Sequence, residues 1–115
     1  GVMFSGGLDS TLLAALAHRH VPLSEPIELI NVCFDPCEAP DRYTGVESLR
    51  ELRRLCPGRK WRLVAVDVTE EMVERERATV LGLTYPQHTQ MDFNIGAALW
   101  FGARGEGRVY EEEEE

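Results

Sequence analysis

Ser5-Gly6-Gly7-Leu8-Asp9-Ser10 puts two hydroxyls, two glycines and one carboxylate into six residues, directly behind the apolar run Val2 to Phe4. Gly6 and Gly7 can adopt positive φ and leave no Cβ between backbone amides and a ligand. A helix opening at once, with free N–H groups and the positive end of its dipole, makes such a turn a site for phosphate oxygens. Ser5 and Ser10 add hydroxyl donors. Asp9 is the discordant member, because a carboxylate repels phosphate unless a cation lies between them. Magnesium, with its preference for oxygen ligands, fits that place. The same residues also read as ordinary turn chemistry, with Asp9 capping the helix. The placement between a strand and a helix favours the phosphate reading. The segment is not GxxxxGK[ST], since no lysine follows the glycines, and it is not GxGxxG.

The elements that must hold these groups follow from the apolar spacing. Ser10 to His20 carries Leu12, Leu13, Leu16 and Ala17 at helical intervals, and Val21-Pro22 ends that helix. Ile27 to Phe34 (IELINVCF) is apolar and partly β-branched, as a strand buried on both faces is. DPCEAPD then reads as a loop. Thr44-Gly45-Val46-Glu47 fits a capping box, after which Val46, Leu49, Leu52 and Leu55 continue a helix as far as Pro57-Gly58. Trp61 to Val68 (WRLVAVDV) is a third strand, and Thr69 with Glu70 and Glu71 suits the start of another helix. A loop at 82–91 precedes a last helix, Asp92 to Ala103, with Ile95, Ala98 and Leu99 expected inward. The order β-α-β-α-β-α-α, with crossovers of about a dozen residues or more, predicts parallel strands joined right-handedly. The expected fold is a three-layer α/β sandwich. Ligands of such sheets bind beyond the C-terminal ends of the strands, where the glycine turn falls.

Composition narrows the function classes. At 115 residues the chain has room for one small domain. It has 12 basic and 20 acidic residues, a net charge of −8, and five of the acids are the terminal glutamates, which leaves −3 for the rest. That balance argues against a nucleic-acid partner bound through phosphate neutralisation. No apolar run suits a membrane span, and residues 1–17 lack a basic leader and are interrupted by Asp9, so a signal peptide is not expected and a cytoplasmic setting is. Cys33, Cys37 and Cys56 then read as free thiols. A zinc site on Cys33 and Cys37 would need two further ligands, for which only His18 and His20 offer themselves, and none is expected.

Ser5-Gly6-Gly7-Leu8-Asp9-Ser10 after a strand resembles the PP-loop, SGGxDS, of the N-type ATP pyrophosphatases. That superfamily includes asparagine synthetase, GMP synthetase, NAD synthetase, argininosuccinate synthetase and tRNA-modifying enzymes. Within it, VMFSGGLDSTLLAALAHRHVPLSEPIELINVCF, APDRYTGVESLRELRRLCPGRKW and MDFNIGAALWFGARG resemble the synthetase domain of asparagine synthetase domain-containing proteins, up to about Arg104. The resemblance implies a Rossmann-like parallel sheet, here its first half only, with ATP and Mg2+ as cofactors. It assigns Ser5, Gly6, Gly7, Asp9 and Ser10 to the ATP phosphates, with Asp9 on the magnesium. Asn31, Val32 and Cys33 fall where the family's backbone meets adenine. Asp41 matches an acidic loop position with a ribose or loop-ordering role, and Asp92 to Gly96 begins a helix facing the nucleotide and the aspartyl substrate. The implied activity is an ATP-dependent asparagine synthetase-like amidoligase. Aspartate would be activated as an acyl-adenylate and take its amide nitrogen from glutamine or ammonia. No catalytic residue is assigned.

Departures from the family set further expectations. The glutaminase domain with its nucleophilic cysteine and a second pyrophosphate segment resembling SGEGxDE are not in this sequence. Gly105-Glu106-Gly107 is no substitute, since no strand precedes it. Residues 1–104 are therefore expected to be part of the domain, inactive alone, and 105–115 an acidic tail disordered through self-repulsion. The strand carrying the PP-loop, central in the family's sheet, is expected to leave an apolar edge open to another chain. A non-catalytic nucleotide-binding relic or interaction module is the alternative function, and a tRNA-modifying enzyme is disfavoured by the charge. Simpler roles stand beside the softer sites: Cys33 as buried packing, Asp41 as a turn residue, Trp61 and Trp100 as core or its margin, and His18 and His20 as cations at a helix C-terminus.

Overall fold

Alternation along two eight-residue strands decides the layers of the molecule. In IELINVCF the odd-numbered residues Ile27, Leu29, Asn31 and Cys33 are buried on one face, while Ile30, Val32 and Phe34 pack on the other. WRLVAVDV repeats the division, with Trp61 and Leu63 on the first face and Val64, Val66 and Val68 on the second. A sheet apolar on both faces must be covered on both, and a three-layer sandwich is the outcome.

The computed structural model describes residues 1–34, 39–87 and 89–110, those at 39–41 by backbone alone. Its elements are β1 (Val2–Met3), α1 (Leu8–His18), β2 (Ile27–Phe34), α2 (Ala39–Leu55), β3 (Trp61–Val68), α3 (Glu70–Thr84), α4 (Gln90–Ala103) and β4 (Arg108–Val109). The sheet order is β1-β2-β3-β4. β1 and β2 pair in parallel, Val2 opposite Leu29, as do β2 and β3, Ile27 opposite Trp61. β4 pairs antiparallel with β3, Val109 opposite Val64. α1 and α2 cover the first face through Ala14, Val46, Leu49 and Leu52, which meet Phe4, Leu29 and Leu63. The α3–α4 pair covers the second through Val80, Phe93, Ala97 and Phe101. No helix among the described residues is long and apolar enough to cross a membrane.

Several expectations change in this structure. α2 begins at Ala39, so Thr44 and Glu47 lie inside the helix and form no capping box. On α4 the inner face is Phe93, Ala97 and Phe101, whereas Ile95 and Leu99 are exposed. On α1 the buried residue is Ala14, while Leu12, Leu13 and Leu16 face outward. Both helices are apolar over more than one stripe, so spacing alone does not say which stripe meets the sheet. The segment read as tail contributes β4, and the Tyr110 N–H donates to the Leu63 carbonyl. The glutamate run 111–115 lies outside the described residues.

Arg59, 5% exposed, closes the far end of α1. Its Nε donates to His18 Nδ1 at 3.0 Å, and its two amino groups donate to the carbonyls of Pro22, Glu25, His18 and Val21. A planar guanidinium carries five N–H groups, and all five have partners here. The cation at the negative end of α1 is thus Arg59, and His18, expected in that role, accepts a hydrogen bond from it.

Candidate functional site

Phe4 leaves the sheet with its N–H on the Ile30 carbonyl at 2.7 Å, and the chain turns within three residues into α1. Gly6 makes the turn possible. Its φ is +87°, and a Cβ there would lie 2.4 Å from the Thr44 carbonyl oxygen and 2.6 Å from the Gly45 nitrogen. The loop therefore rests directly on the backbone of α2, a closeness open only to glycine. Ser48 Oγ of α2 donates to the Gly6 carbonyl at 2.6 Å. Gly7 differs from expectation: its φ is −72°, and a Cβ there would meet only Ser5 Oγ, at 3.4 Å.

Gly7 is also the N-cap of α1, and no side chain caps that helix. Asp9 lies in the first turn, exposed, and makes no cap, so the plain structural reading left for it is that of a negative charge at the positive end of the helix. α3 and α4 differ. Thr69 accepts from the Met72 N–H and Thr89 from the Asp92 N–H. The hydroxyls around α1 are turned inward: Ser5 Oγ accepts from the Gly7 N–H and lies 3.2 Å from Ser10 Oγ, while Ser10 and Thr11 donate to the Gly7 carbonyl. The first amides of α1 keep an open approach, with the helix dipole behind them.

That approach opens into a cleft of about 540 Å³ lined by Met3, Phe4, Ser5, Gly7, Ser10, Ile30, Asn31, Val32, Thr44 and Ala98. The structure thus brings Ser5, Gly7, Ser10 and Val32 to one place, with Gly6 forming the turn beneath them. Cys33 is not in the lining; it is buried and disulfide-bonded, so the free-thiol expectation holds for Cys56 and fails for Cys33. Asp92 to Gly96 do not line the cleft either. Asp92 pairs with Thr89 at the start of α4, and Gly96 packs against Thr84 of α3, so Ala98 is what α4 contributes. Cys37 and the side chain of Asp41 lie outside the described residues.

Magnesium has one acidic candidate at the loop, Asp9. Among the described residues no group of three or more His, Cys, Asp or Glu could hold a metal ion. The donor set fits a hard cation that takes one carboxylate and draws its remaining oxygens from phosphates and water.

Polar groups outside the motif complete the site. Asn31, 2% exposed in the middle of an apolar strand, donates from Nδ2 to the Phe4 carbonyl at 2.9 Å and accepts at Oδ1 from Arg42 Nε at 2.7 Å. Arg42 also reaches Asp67 Oδ1 at 2.8 Å, and Arg108 of β4 donates to the other oxygen at 3.1 Å. Burial pushes the Asp67 carboxyl up, but the charge of Arg42 and hydrogen bonds from Arg108 and Arg42 outweigh it and hold the group below its ordinary value. Of these residues only Asn31 was named from the sequence, as a position where the family's backbone meets adenine, and its side-chain role, like Arg42, Ser48 and Asp67, was missed.

Fold and turn together define a Rossmann-like α/β domain whose cleft opens on an uncapped helix at the end of its first strand. A sequence profile described as asparagine synthase matches residues 1–89. The chain belongs to the asparagine synthase family. It is 42% identical over 113 residues to an asparagine synthetase domain-containing protein of Drosophila melanogaster, which covers 89% of this chain and 20% of that protein. Asparagine synthetase domain-containing protein 1 of Gallus gallus is 37% identical over 94% of the chain, and that of Homo sapiens 33% over 97%, each alignment spanning 24% of the relative. The chain thus spans about a fifth to a quarter of the length of these relatives. No solved structure matches it significantly.

Proposed function

We propose that this chain forms the phosphate-binding part of an ATP-dependent, asparagine synthetase-like amidoligase. The observation that carries the reading is the uncapped start of α1, behind a glycine at φ +87°, opening into a cleft of about 540 Å³. In this reading the first amides of α1 and the Ser5 and Ser10 hydroxyls bind the ATP phosphates. Val32 borders the base. Asp9 would hold the magnesium, which would supply charge neutralisation. The substrate carboxylate, that of aspartate, attacks the α-phosphorus, pyrophosphate leaves, and ammonia then displaces AMP from the acyl-adenylate. The chain's own contribution is positioning and charge stabilisation of the phosphates, the kind of work fixed amides do without reorganising.

The single acidic group at the loop favours a second reading, a nucleotide-binding module without catalysis. Pyrophosphate release from ATP in the complete protein, measured with and without aspartate and ammonia, separates the two. Acceptor-dependent release is the outcome expected of the amidoligase; ATP binding with no release under any acceptor would leave the binding module.

The sheet supports one proposal about partners. β1 is its outer strand among the described residues, and Leu8, Leu12, Leu13 and Leu16 of α1 are exposed beside it. A strand with one open edge next to an apolar helix face is suited to pairing with another chain. Sedimentation of the purified chain checks this: association that weakens in a Leu12→Lys variant is expected, and a monomer at all concentrations would oppose it.

A further inference from the structure

We infer that Asn31 is a positioning residue for the Ser5–Ser10 loop, oriented by Arg42 and Asp67, so that residues of all three parallel strands set where the phosphate site lies. The inference rests on the reading of that loop as an ATP site.

A carboxamide can turn over, exchanging its donor and acceptor ends, unless its partners forbid it. Here they forbid it. Arg42 Nε can only donate, which makes the side facing it Oδ1, and the opposite side must then present Nδ2 to the Phe4 carbonyl. Arg42 is itself held by Asp67 at the end of β3, and its side chain is only 15% exposed. Phe4 is the last residue before the loop. A fixed donor on its carbonyl therefore sets the direction in which Ser5, Gly6 and Gly7 leave the sheet.

α2 constrains the same amide from above. A Cβ on Gly45 would stand 2.8 Å from Asn31 Nδ2, and Gly45 also touches the site where a Gly6 side chain would be. One carboxamide thus lies between the α2 backbone and the loop's first carbonyl. Losing it leaves a buried carbonyl unsatisfied and the part-buried Arg42 guanidinium short of an acceptor.

Three variants test this: Asn31→Leu, which keeps bulk and removes both hydrogen bonds, Arg42→Met, which frees the amide to turn, and Gly45→Ala. The last separates position from stability, because alanine inside a helix is favourable while its Cβ displaces Asn31. Magnesium–ATP affinity is measured by calorimetry, and exchange of the Phe4 and Thr11 amides by hydrogen–deuterium exchange without ligand, both on the whole chain. We expect Asn31→Leu and Arg42→Met to weaken ATP binding by about tenfold and to speed exchange at Phe4 and Thr11, with Leu49 and Leu63 unaffected. Gly45→Ala should weaken binding with a smaller fall in melting temperature than Asn31→Leu, because the gain of alanine inside a helix offsets part of the lost hydrogen bonding. Wild-type affinity and wild-type exchange in all three would overturn the inference. If the unmodified chain binds no ATP, the functional reading fails and exchange alone decides: faster loop exchange sustains the positioning role, and unchanged exchange ends it. Should Asn31→Leu not fold, Arg42→Met and Gly45→Ala decide in the same way.

Discussion

Three helices of this protein start in two ways. α3 and α4 each begin with a threonine whose hydroxyl accepts from an amide of the first turn, Met72 for Thr69 and Asp92 for Thr89. α1 begins with a glycine and has no such bond. A capped start has spent its amides on the protein's own stability, and an uncapped start keeps them for something else. The uncapped one stands at the end of a strand, over a cleft, on a loop fastened by Ser48, Asn31 and the backbone of α2. In the proposed reading, fold stability and ligand binding occupy different helix ends of one molecule.

Replacing Gly6 by alanine should have the largest effect. Positive φ and a Cβ within 2.6 Å of the α2 backbone both oppose it. We expect a loss of about 3 kcal/mol in denaturant unfolding, together with loss of ATP binding. Gly7→Ala should cost less, about 0.5 to 1 kcal/mol, since only Ser5 Oγ is near, at 3.4 Å, and the loss is that of alanine as a poorer N-cap than glycine. Equal effects at the two glycines would contradict the geometry of the turn.

Thr69→Ala should cost about 1 kcal/mol through loss of the α3 cap and leave nucleotide affinity unchanged. Gly7→Ser supplies α1 with the cap it lacks. Stability should rise by a few tenths of a kcal/mol, on the order of the serine–glycine difference at N-caps, and ATP affinity should fall. A gain in both properties would erase the distinction between the two kinds of helix start.

The smallest effect concerns pH. Asp67 is held below its ordinary value of 3.8, so its contribution is complete above that value and is lost as pH falls through the lower folded-state value. Below about pH 4 the wild type should lose more stability than Asp67→Asn, by less than about 1 kcal/mol, because the carboxylate is half exposed. Urea titrations at neutral pH and in acid check this. A larger loss in the variant would reverse the sign.

Much of this was legible in the sequence, for identifiable reasons. Residues 1–68 alternate strand and helix with strong apolar spacing, and SGGLDS stands at the first junction, so parallel topology and the place of the site followed. Thr69 was legible as a cap because acidic residues follow it. What stayed hidden depends on distant partners. Leu12, Leu13 and Leu16, or Ile95 and Leu99, have the same spacing whether they face the sheet or solvent, and the inner stripes are instead Ala14 and Phe93, Ala97 and Phe101. β4 is two residues long and is made by pairing with β3, which no local pattern announces. The Asn31–Arg42–Asp67 network joins residues 11 and 25 positions apart, and no local pattern links them.

The central claim is that the uncapped start of α1 binds ATP phosphates with magnesium on Asp9. Calorimetry of ATP binding, with and without magnesium, on this chain and its Asp9→Ala variant tests it most directly. The account predicts binding that requires magnesium and is lost in the variant. A folded chain that binds no ATP, or binds it equally without magnesium and without Asp9, would contradict it.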